Sequence, residues 1–371
     1  MRTSIFGVLL LALVLALSGG LAEEVVMSED IYSFEVLVNG ELLQLPTPMA
    51  TLTAMGWTDK SLTTETLHPD QYTLETLQHG DQALSVTVFN AGWDTALYAD
   101  CLLGVVSLDE YTARKGATLV LPKGITLGST EEDVLEAYGP PSDLYEGSSR
   151  NTLTYESGSY ARVRITIDRE AGNVVDSIEV RNMVAERPEI VVPEGGFPVP
   201  AAVAAYQAPA ALGESWNDFI VEFAGTLYKL PVPVSALLEN GWTPVSKDVW
   251  VVAAHDSRTG FELRKDNQVM RATVHNYDDK ANTVDHCFVR TILSYEYGPD
   301  LPITLSGGIT RSSTLEEIVA AYGEPDSTSE SSSFLYYTYG KYGERLEISW
   351  HVEEEALTKL ELQYEPKTLG E

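Results

Sequence analysis

The chain has 371 residues, a formal net charge of −31 and two cysteines. That length holds about two domains, and two cysteines are too few for a disulfide framework. The acidic balance excludes a nucleic-acid partner, because phosphate neutralisation needs clustered lysine and arginine, and it excludes adhesion to an anionic membrane or wall polymer by charge alone.

The chain opens with Met1-Arg2-Thr3, an apolar run from Ile5 to Leu17 and the small residues Gly20 and Ala22. This pattern predicts a bacterial-type signal peptide over residues 1–22, cut after Ala22. The apolar run is short of the roughly 20 residues a membrane-spanning helix needs, and no cysteine near the cut offers a lipid attachment. A secreted, extracytoplasmic protein follows, with no stable membrane insertion after signal cleavage.

A first module is expected over residues 30–183. Phe34, Val36 and Val38 alternate before Asn39-Gly40, which reads as a strand entering a hairpin turn. A short helix is expected from Pro48 to a left-handed stop at Gly56, with Trp57 as a core anchor just beyond it. Cys101 reads as a small buried hydrophobe. Ser129-x-x-Glu132 reads as a capping box opening a second helix, whose face carries Val134, Leu135 and Tyr138 before Gly139 and Pro141 end it. Strands follow over Thr152 to Tyr155, Ala161 to Asp168 and Val174 to Arg181. Residues 184–214 are rich in proline and alanine and read as a linker, in which Ala201 to Tyr206 has the option of a helical turn.

Residues 215–366 repeat this grammar as a second module. Phe219, Gly225, Leu230-Pro231 and Gly241-Trp242-Thr243 match Phe34, Gly40, Leu45-Pro46 and Gly56-Trp57-Thr58. Cys287 matches Cys101, so the two cysteines stand at one place in the repeat and leave a cross-link between modules as an alternative to two free thiols. Ser313-x-x-Glu316 and Tyr322-Gly323-x-Pro325 match Ser129-x-x-Glu132 and Tyr138-Gly139-x-Pro141. The expected fold class is α+β: two tandem repeats, each with short helices packed on an antiparallel β-sheet.

The motif Gly124-Ile-Thr-x-Gly-Ser-Thr-x-Glu-x-Val-x-x-x-Tyr-Gly-x-Pro, repeated from Gly308, resembles the SmpA/OmlA and β-lactamase-inhibitor-protein-like (BLIP-like) superfamily. The resemblance covers about a third of each module. It implies helical segments on an antiparallel sheet, often duplicated, in exported binding or envelope proteins. The chain departs from the pattern by lacking the lipid-anchor cysteine and by adding the Gly-Trp half of each module.

No nucleophile elbow, phosphate loop, metalloprotease helix or dinucleotide fingerprint occurs, so no catalytic residue, cofactor or metal site is assigned. His275, Asp285, His286 and Cys287 have the donor types zinc takes, but their spacing matches no common module and Phe89, Asp100 and Cys101 stand where His275, His286 and Cys287 do. Asp278-Asp279 lacks the ligand alternation of a calcium loop. Comparison of the modules is more informative. Leu153 and Tyr155 match Tyr337 and Tyr339 on a core face, whereas on the opposite face Arg150 and Thr152 become Phe334 and Tyr336. An exposed aromatic pair marks either a partner-binding patch or a surface covered by the other module or a loop. The expected function is non-enzymatic binding of a protein or cell-surface partner at or outside the bacterial envelope, with Phe334 and Tyr336 as contacts. The alternatives are an extracellular enzyme acting on wall carbohydrate or peptide, and a structural component of envelope assembly.

Overall fold

A computed structural model describes residues 26–59, 65–298 and 301–369. The signal-peptide segment 1–22 lies outside the described residues. Backbone contacts divide the chain into two units, the first comprising the described residues up to Ala91 with Ala96–Arg187, the second Gly92–Thr95 with Pro188–Glu371.

The expected α+β class is corrected to a mostly antiparallel β fold. Among the described residues there are 29 strands and six α-helices, and the longest helices, Glu131–Tyr138 and Leu315–Tyr322, have eight residues. The reason lies in the stop signals. Gly56 and Gly241 sit at φ of +86° and +88°, where Trp57 and Trp242 amides bond back to the Leu52 and Leu237 carbonyls, so each helix ends after one or two turns. Helices this short bury too little to form a layer. Leu52, Val134 and Ile318 are the only buried residues of their respective helices, and both cores are built from strands.

The capping boxes fall one residue later than the sequence suggested. Thr130 and Thr314 are the N-caps, accepting from the amides of Asp133 and Glu317 at 3.1 and 3.2 Å. Those acids accept in return from the cap amides at 2.8 and 2.9 Å. Ser129 and Ser313 close the preceding turn instead, accepting from Thr126 and Thr310 amides. The tyrosines around this helix act as ties in both units. Tyr138 and Tyr322 hydroxyls donate to the Pro122 and Ser306 carbonyls. Tyr155 and Tyr339 donate to the Gly139 and Gly323 carbonyls at the helix end, both at 3.0 Å.

In the first unit the central strand Leu102–Asp109 pairs on one side with Gln82–Phe89 and on the other with Val174–Asn182, so one nine-stranded sheet runs from Asp143–Glu146 to Thr58–Asp59. The register slips between Thr87 and Val88, leaving Gly104 unpaired in a bulge. In the second unit the equivalent strand is broken at Arg290 into Phe288–Val289 and Thr291–Tyr295. The sheet accordingly splits in two. One five-stranded sheet runs Val232–Pro233, Phe288–Val289, Gln268–His275, Ser257–Lys265, Thr243–Pro244; the other runs Thr291–Tyr295, Ala356–Tyr364, Glu344–His351, Phe334–Lys341, Ser327–Glu330. Each unit also has a three-stranded sheet, including Glu35–Val38 in the first and Ile220–Phe223 in the second. Trp57 and Trp242 are each 1 % exposed, and burying a ring of that size contributes several kcal/mol to its core. Among the described residues no helix is long and apolar enough to cross a membrane.

Candidate functional site

The C-terminal sheet of the second unit has one face on the core and one in solvent, and strand alternation sorts its residues between them. Tyr339 and Leu346 point inward and are buried, with Tyr339 only 2 % exposed. Tyr336, 37 % exposed, points outward, and Phe334 beside it is half-buried. The Phe334 ring meets His351 edge-on at 4.9 Å and lies 6.1 Å from the Tyr336 ring. The aromatic pair named from the sequence therefore stands on the outer side of its strand, partly supported from the neighbouring strand.

The register assembles the rest of this face. Tyr336 is opposite Ser349, Ser349 opposite Lys359, and Lys359 opposite Tyr295. One step along, Thr338, Glu347, Glu361 and Leu293 form a parallel row. Together these side chains line a cleft of about 680 Å³. Its flanks are apolar, Phe334 and Tyr336 on one side and Leu293 and Tyr295 on the other. Its centre is a closed ion-pair network. Lys359 Nζ donates to Glu347 Oε2 at 2.9 Å and also to Glu361, while Arg345 Nη1 lies 3.0 Å from Glu347 Oε1. Burial works against the Lys359 charge, but the hydrogen bonds to Glu361 and Glu347 outweigh it and hold its pKa above the ordinary value. Burial likewise works against the Glu347 charge, and Lys359 with Arg345 overcomes it to hold that carboxyl low.

The same face of the first unit is charged and polar. Ser107, Asp109, Arg150 and Thr152 occupy the places of Leu293, Tyr295, Phe334 and Tyr336. Arg150 Nε donates to Asp176 at 2.7 Å and Arg162 Nη2 to Glu179 at 3.2 Å. Alternation within one strand was enough to single out Phe334 and Tyr336. It could not find Leu293 and Tyr295, because their strand joins the sheet from about 40 residues earlier in the chain and its neighbour is set by sheet order.

The His275 region is a second place where the units diverge. Ser257 Oγ lies 2.9 Å from His275 Nδ1, and Arg290 Nη2 donates to the same oxygen at 3.0 Å. Arg290 also pairs with Glu365 at 3.5 Å. Burial, then the positive charge of Arg290 and then His255, push the His275 pKa down to about 4. A hydroxyl beside an imidazole has the spacing of a nucleophile and its base, but here the hydroxyl is held by a guanidinium and the imidazole is a weakened base. The arrangement links Ser257, His275, Arg290 and Glu365 in one hydrogen-bonded and ion-paired cluster.

The four donors with zinc-like chemistry do not converge. His286 Nδ1 is 2.7 Å from Asn282 Oδ1 with Asp285 at 3.6 Å, Cys287 Sγ bonds the Thr283 carbonyl, and His275 is engaged by Ser257. Both cysteines are free and buried. Burial, reinforced by Asp100, pushes the Cys101 thiol up to about 11, and burial with Asp285 pushes Cys287 higher still. Both therefore stay protonated as small core residues.

No family model matches the chain, and no curated protein matches it. Among solved structures, the β-propeller domain of the Trilobed protease from Pyrococcus furiosus aligns over 79 % of this chain and 82 % of that one, at 9 % identity and a TM-score of 0.10. A superposition that poor carries no argument about fold or activity.

Proposed function

We propose that the protein is a secreted, non-enzymatic binding protein that takes a protein partner on the solvent face of its C-terminal sheet. The observation that carries this reading is the replacement, on one sheet face, of Ser107, Asp109, Arg150 and Thr152 in the first unit by Leu293, Tyr295, Phe334 and Tyr336 in the second. Exposing aromatic side chains on a sheet costs solubility and gains nothing for the core, so a surface that accumulates them is best explained by a partner that covers them. The signal-peptide pattern of residues 1–22 and the superfamily resemblance at Gly124 and Gly308 support a role outside the cytoplasm.

The test is affinity capture by the mature chain from the producing cell's envelope and medium, run beside Phe334→Ala with Tyr336→Ala. The reading expects at least one protein retained by the parent and lost by the double variant. Identical captures by both would show that this face is not the binding surface.

A further inference from the structure

We infer that the occupant of this face is a positively charged polypeptide segment, apolar on the side that meets the sheet and basic on its edge. This deepens the binding reading above and rests on it. Three features of the face select that chemistry.

The charges at the centre are each ion-paired, although Arg345 Nε keeps no hydrogen-bond partner. Two cations, Arg345 and Lys359, and two carboxylates, Glu347 and Glu361, are paired with one another. An anionic ligand would have to break these pairs to reach Lys359, so the contribution of the centre is shape and apolar area. The two aromatic flanks, Tyr336 and Tyr295, are separated by three strand spacings across Ser349 and Lys359. At about 4.8 Å each that is about 14 Å, enough to seat a helix, about 10–12 Å across with its side chains, between the flanks and over the small Ser349.

The rim is acidic. The turn between the strands Glu344–His351 and Ala356–Tyr364 carries Glu353, Glu354 and Glu355, all exposed, and the Glu354 amide bonds back to His351, the residue that supports Phe334. At the other flank Tyr297 stacks edge-on against Tyr295 at 5.4 Å. The exposed Glu296 stands between these two tyrosines in the chain, and its amide donates to the Thr358 carbonyl of the neighbouring strand. A neutral glycan would gain hydrogen bonds from such a rim but no charge pairing. A segment with lysine or arginine along its edge gains charge pairing at the rim and faster encounter with a chain of net charge −31.

The test uses the full mature chain and two synthetic amphipathic helices with identical leucine positions, one with lysine and one with glutamate on the polar face, titrated at physiological salt. Three variants accompany the parent. Phe334→Arg with Tyr336→Thr installs the residue types that the first unit carries at these places. Glu353→Gln, Glu354→Gln and Glu355→Gln together remove the rim charge. Glu132→Gln, Glu136→Gln and Glu170→Gln remove as many exposed charges from the first unit. Circular dichroism confirms that each variant is folded.

The expected result is binding of the lysine peptide alone, weakened about tenfold or more by the aromatic exchange, several-fold by the rim variant, and unchanged by the first-unit variant. Equal weakening by the rim and first-unit variants would overturn the inference, since it would reduce binding to the overall charge of the chain. Equal binding of the glutamate peptide, or retention of a neutral wall glycan at the aromatic pair, would overturn it too. If neither peptide binds while envelope capture still depends on Phe334 and Tyr336, the identity of the occupant is wrong and the binding face stands. Peptide binding indifferent to Phe334 and Tyr336 removes both.

Discussion

Where the central strand passes its neighbours, the first unit has Gly104 packed beneath Phe89 and Met183, and the second has Arg290 with His275 and Glu365 at the same places. In the first, a Cβ on Gly104 would lie 2.7 Å from Met183 Cγ and 2.8 Å from the Phe89 ring, so the apolar packing is bought with a glycine bulge that leaves the sheet continuous. In the second, the side chain is an arginine whose charge must be answered. Glu365 and Ser257 answer it, and the strand breaks there. The lesson is that one position has been solved twice, by apolar packing and by an ion-pair network, and that the second solution leaves a separate C-terminal sheet with Leu293 and Tyr295 on its outer edge strand. The divergence of the His275 cluster and that of the aromatic face thus meet in one strand.

Variants at shared and unshared positions sharpen this contrast. The largest effect belongs to the shared scaffold: Trp57→Ala and Trp242→Ala should each destabilise by about 4 kcal/mol, in similar measure, as read from urea unfolding of the full chain. A loss confined to one of them would break the equivalence of the two cores. Next, Gly104→Arg should cost about 2–3 kcal/mol, because the arginine enters the Phe89–Met183 contact with no carboxylate to pair with. A neutral outcome would show that the first unit tolerates the second unit's solution.

His275 gives a pH-dependent difference. Its folded pKa of about 4 lies below the ordinary 6.5, so between these values the unfolded chain binds a proton that the folded chain refuses. The stability contributed by keeping this histidine neutral is complete above pH 6.5 and falls as the pH drops toward 4. With a discount for its partial exposure the loss is about 2 kcal/mol. His275→Phe, the residue of the first unit, should remove that part of the acid slope, so the stability of the variant relative to the parent, read from unfolding curves, should rise by about 2 kcal/mol as the pH falls across this window. Parallel curves would contradict the burial of His275. The smallest effect is expected for Arg150→Ala. Its pair with Asp176 has the arginine well exposed but the carboxylate buried, so its removal should cost about 1 kcal/mol, the lower end for a buried acceptor left without its partner.

Much of the scaffold is legible in the chain because it rests on local rules. Gly-Trp marks a helix stop with a folded-back anchor, alternation assigns Tyr336 and Tyr339 to opposite faces, and tyrosines flanking Gly139 and Gly323 tie the helix ends. The capping box opens one residue later than the Ser-x-x-Glu spacing indicates because Ser129-Thr130 and Ser313-Thr314 each offer two adjacent hydroxyls, and only the backbone conformation decides which opens the helix. The fold class is less legible, because start and stop signals announce that a helix exists without weighing how little an eight-residue helix buries. Half of the aromatic face stayed hidden for a different reason. Leu293 and Tyr295 look unremarkable in their own strand, and their meaning comes from the pairing of Tyr295 with Lys359, a contact that no local pattern encodes.

The most direct test of the central claim is amide hydrogen exchange on the mature chain with and without its captured partner. Slowed exchange confined to the four adjacent strands Thr291–Tyr295, Ala356–Tyr364, Glu344–His351 and Phe334–Lys341, with Val105–Asp109 and Arg150–Glu156 unchanged, is the predicted outcome. Equal protection of the first unit's polar face, or none on the aromatic strand, would contradict it.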